Sequence, residues 1–262
     1  MKNLLVGLLL SALGTVAMAD TVPFQLSING AGIDLSKTLA LSDIGEGKTK
    51  INFDFNDKNG KKYNFDLKYK SLPDNRSFPT NIDMTLKDAA GHQLGYLFFA
   101  INKVSFLKEM GEFGLIVDVE GQPVDLKLTF DENVRGHLTV ADLGEERFIQ
   151  DTLVPNFNFQ MIRPVVLPLT EKGIRSKTFS LDNHPYSINY TIKELQHGVV
   201  QFQHNLYETG GEKAQLLERI YFNAKNLSIL REAMYAGKYF HPQDGAFKLV
   251  FYPAMGQTEP AR

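Results

Sequence analysis

Hydrophobic and polar residues alternate with a period of two along much of the chain. In residues 63–70 the aromatic and aliphatic side chains of Tyr63, Phe65, Leu67 and Tyr69 fall on one face, and polar side chains fall on the other. This alternation is typical of a β-strand with one buried face and one solvated face. The same pattern recurs in residues 82–86, 124–130, 186–192 and 200–206. Because parallel strands are buried on both faces and read as continuous apolar runs, the alternation predicts antiparallel sheets.

Turn-forming residues separate these segments. Residues 56–60, 88–91, 121–123, 210–211 and 242–245 are rich in Gly, Asn, Asp and Pro. Many short strands with turns at this spacing predict a mainly β protein of the sandwich type.

The chain also contains an internal repeat. Residues 94–109 (LGYLFFAINKVSFLKE) align without gaps on residues 217–232 (LERIYFNAKNLSILRE). Four further matches follow in the same order: Val22-Pro23 with Val154-Pro155, 63–70 with 186–193, 86–88 with 206–208, and 126–130 with 247–251. Five ordered matches predict a duplicated unit of domain size.

One stretch in each copy departs from the period of two. Residues 104–110 and 227–235 contain helix-forming residues, and Gly111 or Gly237 lies close to the end of each. This pattern predicts one short helix per copy, and residues 213–219 could extend the second helix backwards.

These observations predict two tandem antiparallel β-sandwich-like domains, each with one short helix. The boundaries that follow are β-domain 1 at residues 20–130, a linker or edge element at 131–153, β-domain 2 at 154–252 and a C-terminal tail at 253–262. Residues 155–169 contain three prolines and few charges, so they could form an edge strand, pack the domains together or offer an apolar docking surface.

The first residues have the pattern of a signal peptide. Lys2 precedes an apolar stretch at residues 4–13, and Ala17-Met18-Ala19 has the small-x-small form of a cleavage site. We therefore expect residues 1–19 to be removed near Ala19 and the mature protein to be periplasmic or secreted. No later stretch reaches the roughly 20 apolar residues of a spanning helix.

The amino-acid composition limits the classes of partner that the protein is expected to bind. The chain has no cysteine, which excludes disulfides and thiol chemistry, so its apolar core must stabilise it. Its formal net charge is −2, so it lacks the excess of basic residues that would attract nucleic acid or an anionic membrane surface, and neither is an expected partner. A protein partner is the expected one, and the oligomeric state is not predicted.

No local motif predicts a catalytic, cofactor-binding or metal-binding residue. Ser105 and Ser228 recur at matched positions but have no neighbouring base, and the Glu145-Glu146 pair lies in the predicted linker. The six histidines lack metal-ligand spacing, although folding could assemble a site from His184, His204 and His241. Residues 54–60 (DFNDKNG) contain several oxygen ligands, but their spacing does not fit an EF-hand loop. The misfit favours an ordinary hairpin turn.

The sequence thus predicts a non-enzymatic exported bacterial protein with two domains that bind another protein, in surface assembly, adhesion or secretion. The alternatives left open are a periplasmic assembly chaperone, an envelope hydrolase with an interdomain site, and a carrier of a small ligand or lipid.

Overall fold

The computed structural model describes residues 21–42, 48–71, 80–101, 105–139, 149–157, 160–161, 165–167, 174–181, 184–226, 229, 233–240 and 247–255. The elements in this part of the chain are β1 (Thr21–Gly30), β2 (Ile33–Ser42), β3 (Lys48–Asn56), β4 (Lys62–Ser71), β5 (Thr80–Asp88), β6 (Gln93–Ile101), α1 (Ser105–Met110), β7 (Glu112–Val119), β8 (Gln122–Thr129), β9 (Ile149–Phe157), β10 (Gln160–Met161), β11 (Val165–Leu167), β12 (Ile174–Leu181), β13 (His184–Leu195), β14 (Val199–Glu208), β15 (Gln215–Ala224), β16 (Ala233–Phe240) and β17 (Phe247–Met255).

The strands form two sheets. Sheet A has 8 strands in the order β12-β13-β14-β15-β7-β8-β1-β2. Sheet B has 9 strands, with the order β10-β9-β17-β16-β6-β5-β4-β3 and with β11 also paired to β9. Every strand pair is antiparallel, so the prediction of a mainly β, antiparallel protein is confirmed.

The two halves of the chain follow the same path through the two sheets. In the first half β3–β6 form a meander in sheet B, and β7 and β8 then join β1 in sheet A. In the second half β12–β15 form a meander in sheet A, and β16 and β17 then join β9 in sheet B. Each sheet therefore contains strands of both halves, and the halves meet where β7 pairs with β15 and β6 pairs with β16.

Strand register supports the internal repeat in the meanders. Phe65 lies opposite Leu86, and their matched residues Ile188 and Leu206 also lie opposite each other. The pairing of β5 with β6 shifts directly after Leu86, and the pairing of β14 with β15 shifts directly after Leu206. A bulge at the same position in both halves is expected if they share one origin, because bulges are fixed features of a sheet.

The match of Val22-Pro23 with Val154-Pro155 does not follow this register and is wrong. Leu128 lies opposite Leu26, whereas Leu249, which matches Leu128 in the closing strands, lies opposite Pro155. The two proline-containing segments occupy equivalent strands but are displaced along them.

The core-facing residues of both sheets form one buried cluster. Phe99 on β6 of sheet B stacks on Phe113 on β7 of sheet A, with ring centroids 5.0 Å apart. The same ring meets the edge of Phe222 on β15, 5.9 Å away. Each buried aromatic of this size contributes about 1.5–3 kcal/mol through loss of exposed apolar surface, so this cluster joins the sheets and the halves.

The first predicted helix is confirmed as α1, which ends at Met110 and is followed by Gly111 with a positive φ of 76°. In the second predicted helix, residues 227–235, Ile229 is helical and residues 233–235 already belong to β16. The predicted extension through residues 213–219 is wrong, because residues 215–219 lie in β15. Pairing with β14, and from Glu218 onwards also with β7, outweighs the local helix propensity of this segment.

The ends of two strands differ from the predicted domain boundaries. β9 begins at Ile149, inside the predicted linker 131–153, and β17 ends at Met255, inside the predicted tail. Gly136 and Leu138 of the linker donate backbone hydrogen bonds to His197 and Gly198. The division into two separately folded domains stays a prediction. None of the helices in the described ranges is long and apolar enough to cross a membrane.

Candidate functional site

Strands β2 and β3 form the outermost strands of the two sheets on one side of the molecule. β2 is the end strand of sheet A and β3 is the end strand of sheet B. Within the described ranges, β2 pairs only with β1 and β3 pairs only with β4. A strand paired on one side presents backbone N–H and C=O groups along its other side.

The core-facing side chains of these two strands lie where β2 of sheet A is adjacent to β3 of sheet B, and we call this surface the edge seam. On β2 they alternate with polar residues and share a face with buried residues of β1, and on β3 they share a face with buried residues of β4. The edge seam consists of Leu35, Lys37, Leu39, Ile51, Phe53 and Phe55. Its five apolar side chains are half-buried and its lysine is exposed, although they occupy core-facing positions.

The aromatic side chains of the edge seam pack against one another and against the core. The ring centroids of Phe53 and Phe65 lie 5.5 Å apart, and Phe55 stacks on Tyr63 at 5.7 Å. The ammonium nitrogen of Lys37 lies 3.7 Å from the centroid of the Phe53 ring. This is cation–π geometry, so Lys37 rests on the open face of the aromatic group.

Two hairpins contact each other at one end of the edge seam. The backbone N–H of Lys58, in the turn between β3 and β4, donates to the carbonyl of Gly32, in the turn between β1 and β2, at 3.1 Å. The side chains of Lys58 and Asp34 are 4.0 Å apart at the same end. These contacts hold β2 and β3 at a fixed separation there.

The opposite face of β2 is polar. The Thr38 hydroxyl donates to Gln25 Oε1 at 2.8 Å, and the Gln25 amide donates to the Ser36 hydroxyl. Apolar surface on β2 therefore faces the edge seam and not the outside of sheet A.

Residues 54–60 lie in the hairpin of β3 and β4, with the turn directly after Asn56, as the spacing favoured. Asp57 Oδ1 accepts the backbone N–H groups of Asn59 and Lys61, each at 2.8 Å. Asp54 accepts hydrogen bonds from Lys62 and from Asn64, both at 2.8 Å. The Lys62 ammonium lowers the pKa of the Asp54 carboxyl. The two carboxylates are thus engaged in the turn and its flanking strands.

The sequence candidates for catalysis fall in different parts of the molecule. His184 begins β13 and Ser105 begins α1, while Ser228, His241 and the Glu145-Glu146 pair lie outside the described residues. His92, His137 and His197 are exposed, and His92 Nδ1 lies 3.0 Å from Asp88 Oδ2.

His204 is instead buried, with 3% of its surface exposed, on the core face of β14. Glu218 is equally buried on the same face of neighbouring β15, diagonally across from His204. In the first half the matched residues are Met84 and Gly95, both buried. The second half therefore has two ionisable groups where the first half has an apolar core, and such groups are costly to bury. Comparison of the two repeats would have singled out Glu218, which sequence reasoning missed.

No group of three or more His, Asp or Glu side chains within the described ranges is arranged to hold a metal ion. Comparison of the chain with protein-family models, with curated proteins and with solved structures found no match.

Proposed function

We propose that this protein is an exported, non-enzymatic module that binds another protein by adding a strand of that partner to β2. The single observation that carries the proposal is the edge seam, where β2, which pairs on one side only within the described ranges, has half-buried apolar side chains next to those of β3.

The free edge of β2 suits strand addition in length and composition. β2 has 10 residues and contains neither Pro nor Gly. At about 3.3 Å per residue it is roughly 30 Å long, which is enough to pair with an extended segment over several hydrogen bonds. In this mode of recognition the main chain supplies affinity and alternate side chains supply specificity.

The side chains of the edge seam add apolar area to that backbone pairing. A partner strand on β2 would cover Leu35 and Leu39, and its own core-facing side chains would approach Phe53 and Phe55. Burial of such side chains stabilises by about 25 cal/mol per Å² of apolar surface removed from water. An exported protein with these properties would act in surface assembly, adhesion or secretion, after cleavage near Ala19.

Photo-cross-linking in the native envelope tests the proposal. A photoreactive residue at Thr38, on exposed β2, is expected to capture one partner protein. The same residue at Ala89, in the exposed turn between β5 and β6, is the matched control and is expected to capture none.

Two proline variants then test the backbone edge. Adjacent residues of a strand direct their backbone N–H groups to opposite sides of the strand. Ser36→Pro and Lys37→Pro each remove one N–H donor. One of these donors pairs with β1, and the other lies on the side of β2 away from β1. The variant that retains the melting temperature is expected to lose the cross-link. Retention of the cross-link by that stable variant, or equal capture from Ala89, would contradict the proposal.

A further inference from the structure

Lys37 is the charged side chain of the edge seam. The neighbouring core-facing residues of β2 are Leu35 and Leu39, and those of β3 are Ile51, Phe53 and Phe55. Across the strand pair Lys37 lies opposite Leu26, which is fully buried. A lysine at this position is exposed only because no strand in the described part of the chain continues sheet A beyond β2.

The ammonium group of Lys37 contacts an aromatic ring rather than an acid. Its nitrogen lies 3.7 Å from the Phe53 centroid, and it forms no ion pair with any residue that the structure describes. When a strand covers β2, this ammonium group loses part of its hydration. Burial of an unpaired charge is strongly unfavourable, whereas a hydrogen-bonded carboxylate offsets that cost.

We infer that the strand bound at the edge seam carries an Asp or Glu opposite Lys37, with an apolar residue two positions away on either side. This inference rests on the proposed function and adds the chemistry of the partner. Residues directly opposite each other in paired strands share a face, so the partner residues opposite Leu35 and Leu39 point into the edge seam. The resulting pattern is apolar-x-acidic-x-apolar.

Lys37 would also select against other strands. A wholly apolar strand would bury the ammonium group without a counter-charge. A second copy of β2 paired antiparallel and centred on Lys37 would place Lys37 opposite Lys37, and like charges directly opposite each other are destabilising. Specificity through exclusion of wrong partners is expected for an edge strand, where an inward-pointing charge also prevents self-association.

Synthetic peptides test this chemistry on the full-length mature protein. The probe is a capped peptide of the sequence Thr-Leu-Thr-Glu-Thr-Leu-Thr, and matched peptides carry Gln or Lys in place of Glu. Binding is measured from backbone amide shifts of isotopically labelled protein, together with amide hydrogen exchange. We expect the Glu peptide to bind about tenfold more tightly than the Gln peptide, a difference of about 1.4 kcal/mol, and to protect alternate amides of β2. We expect the Lys peptide to bind least tightly.

Variants at Lys37 show whether that preference comes from this side chain. Lys37→Met is expected to bind the Glu and Gln peptides equally, and Lys37→Glu is expected to prefer the Lys peptide. Because Lys37 is exposed, both variants are expected to retain the melting temperature of the parent protein. Equal binding of the Glu and Gln peptides by the parent protein, or no effect of any peptide on β2 amides, would overturn the inference.

The two proposals fail in different ways. If Thr38 captures a partner in the envelope but the parent protein shows no charge preference among peptides, strand addition stands and the inferred chemistry is wrong. If Lys37→Met self-associates while the peptides still show no charge preference, Lys37 only protects the edge, and the inference is overturned.

Discussion

Tyr221 crosses the boundary between the two halves of the chain. It lies on β15 and passes over Gly114 of β7, and its hydroxyl donates a hydrogen bond of 2.8 Å to Asp125 Oδ1 on β8. A Cβ atom at Gly114 would lie 2.5 Å from the Tyr221 hydroxyl oxygen, so the contact requires glycine there. At the other boundary Phe98, which matches Tyr221 in the repeat, lies opposite Ala236. An aromatic residue thus lies opposite a small residue at both junctions.

The buried hydroxyl of Tyr221 predicts how stability falls in alkaline solution. Burial raises the pKa of Tyr221, and the carboxylate of Asp125 raises it further. Tyrosine in the unfolded chain ionises near pH 10. The stability that the un-ionised Tyr221 hydroxyl contributes is therefore complete below pH 10 and is lost as pH rises above it. Between pH 9 and pH 11 the parent protein is expected to lose about 1.4 kcal/mol more than Tyr221→Phe.

Urea unfolding across this pH range measures the difference. At pH 7 the Tyr221→Phe variant is expected to be less stable by about 1–3 kcal/mol, because the half-buried Asp125 carboxylate loses a hydrogen-bond donor. Identical alkaline slopes for the two proteins would show that Tyr221 does not titrate differently on unfolding.

At the residue scale, alternation predicted which side chains face the core but not how exposed they are. Phe53 and Phe65 are both phenylalanines at core-facing positions of alternating strands, yet Phe65 is fully buried and Phe53 is half-buried. The difference arises because β3 is an end strand and β4 is not. Strand order depends on contacts between distant segments, which period and composition do not encode.

At the scale of elements, two hairpins have two-residue turns in which both residues adopt left-handed backbone conformations. β1 and β2 are joined by Ala31-Gly32, with φ of 48° and 79°, and β7 and β8 are joined by Glu120-Gly121, with φ of 56° and 80°. Positive φ at both central residues is the pattern of a type I′ turn, which matches the twist of antiparallel strands. The turn at residues 121–123 was predicted from its Gly and Pro, whereas Ala31-Gly32 lacks the Asn or Asp that would have marked it.

Ala31 is a strained residue for such a turn, so a better turn residue should stabilise the protein. Alanine at positive φ costs roughly 1–2 kcal/mol because its Cβ approaches the following carbonyl, whereas asparagine adopts this conformation more readily. Ala31→Asn is expected to raise the free energy of unfolding by about 0.5–1 kcal/mol, measured by urea denaturation. The control is Ala89→Asn, in an exposed turn at a residue without positive φ, which is expected to give no gain. Equal effects of the two substitutions would indicate that backbone strain at Ala31 is not the cause.

The error in residues 213–219 has a physical cause at the same scale. KAQLLER contains good helix formers, but Leu217 and Ile220 belong to a strand whose partners come from both halves of the chain. Pairing on two sides and burial of Ile220 outweigh local propensity, which spans less than about 1 kcal/mol per residue.

At the scale of the molecule, both repeats contribute strands to each of the two sheets. The repeat was predicted from sequence, but the exchange of strands between halves was not, because a repeat says nothing about which copy a strand pairs with. In the structure the first half supplies β7, β8, β1 and β2 at one end of sheet A, and it supplies β3–β6 at one end of sheet B. On its own it would expose the edges of β6 and β7, which pair with β16 and β15 of the second half.

The strand exchange predicts that the two halves depend on each other. A fragment of residues 20–139 would lose the stacking of Phe99 against Phe222 and the hydrogen bond from Tyr221 to Asp125. It would also leave two strand edges free to pair with other chains. Expressed alone, each half is expected to self-associate or to melt well below the full chain. Expressed together, residues 20–139 and 140–262 are expected to form a 1:1 complex.

The Gly114→Val variant tests whether this complex depends on the junction, because the valine side chain would occupy the space of the Tyr221 ring. The variant fragment is expected to bind the other half at least tenfold more weakly, about 1.4 kcal/mol or more, as measured by calorimetry. A monomeric fragment of residues 20–139 with the melting temperature of the full chain would instead show that the halves are the two independent domains predicted from the repeat. The strand order argues against that result, because neither half completes its sheets without the other.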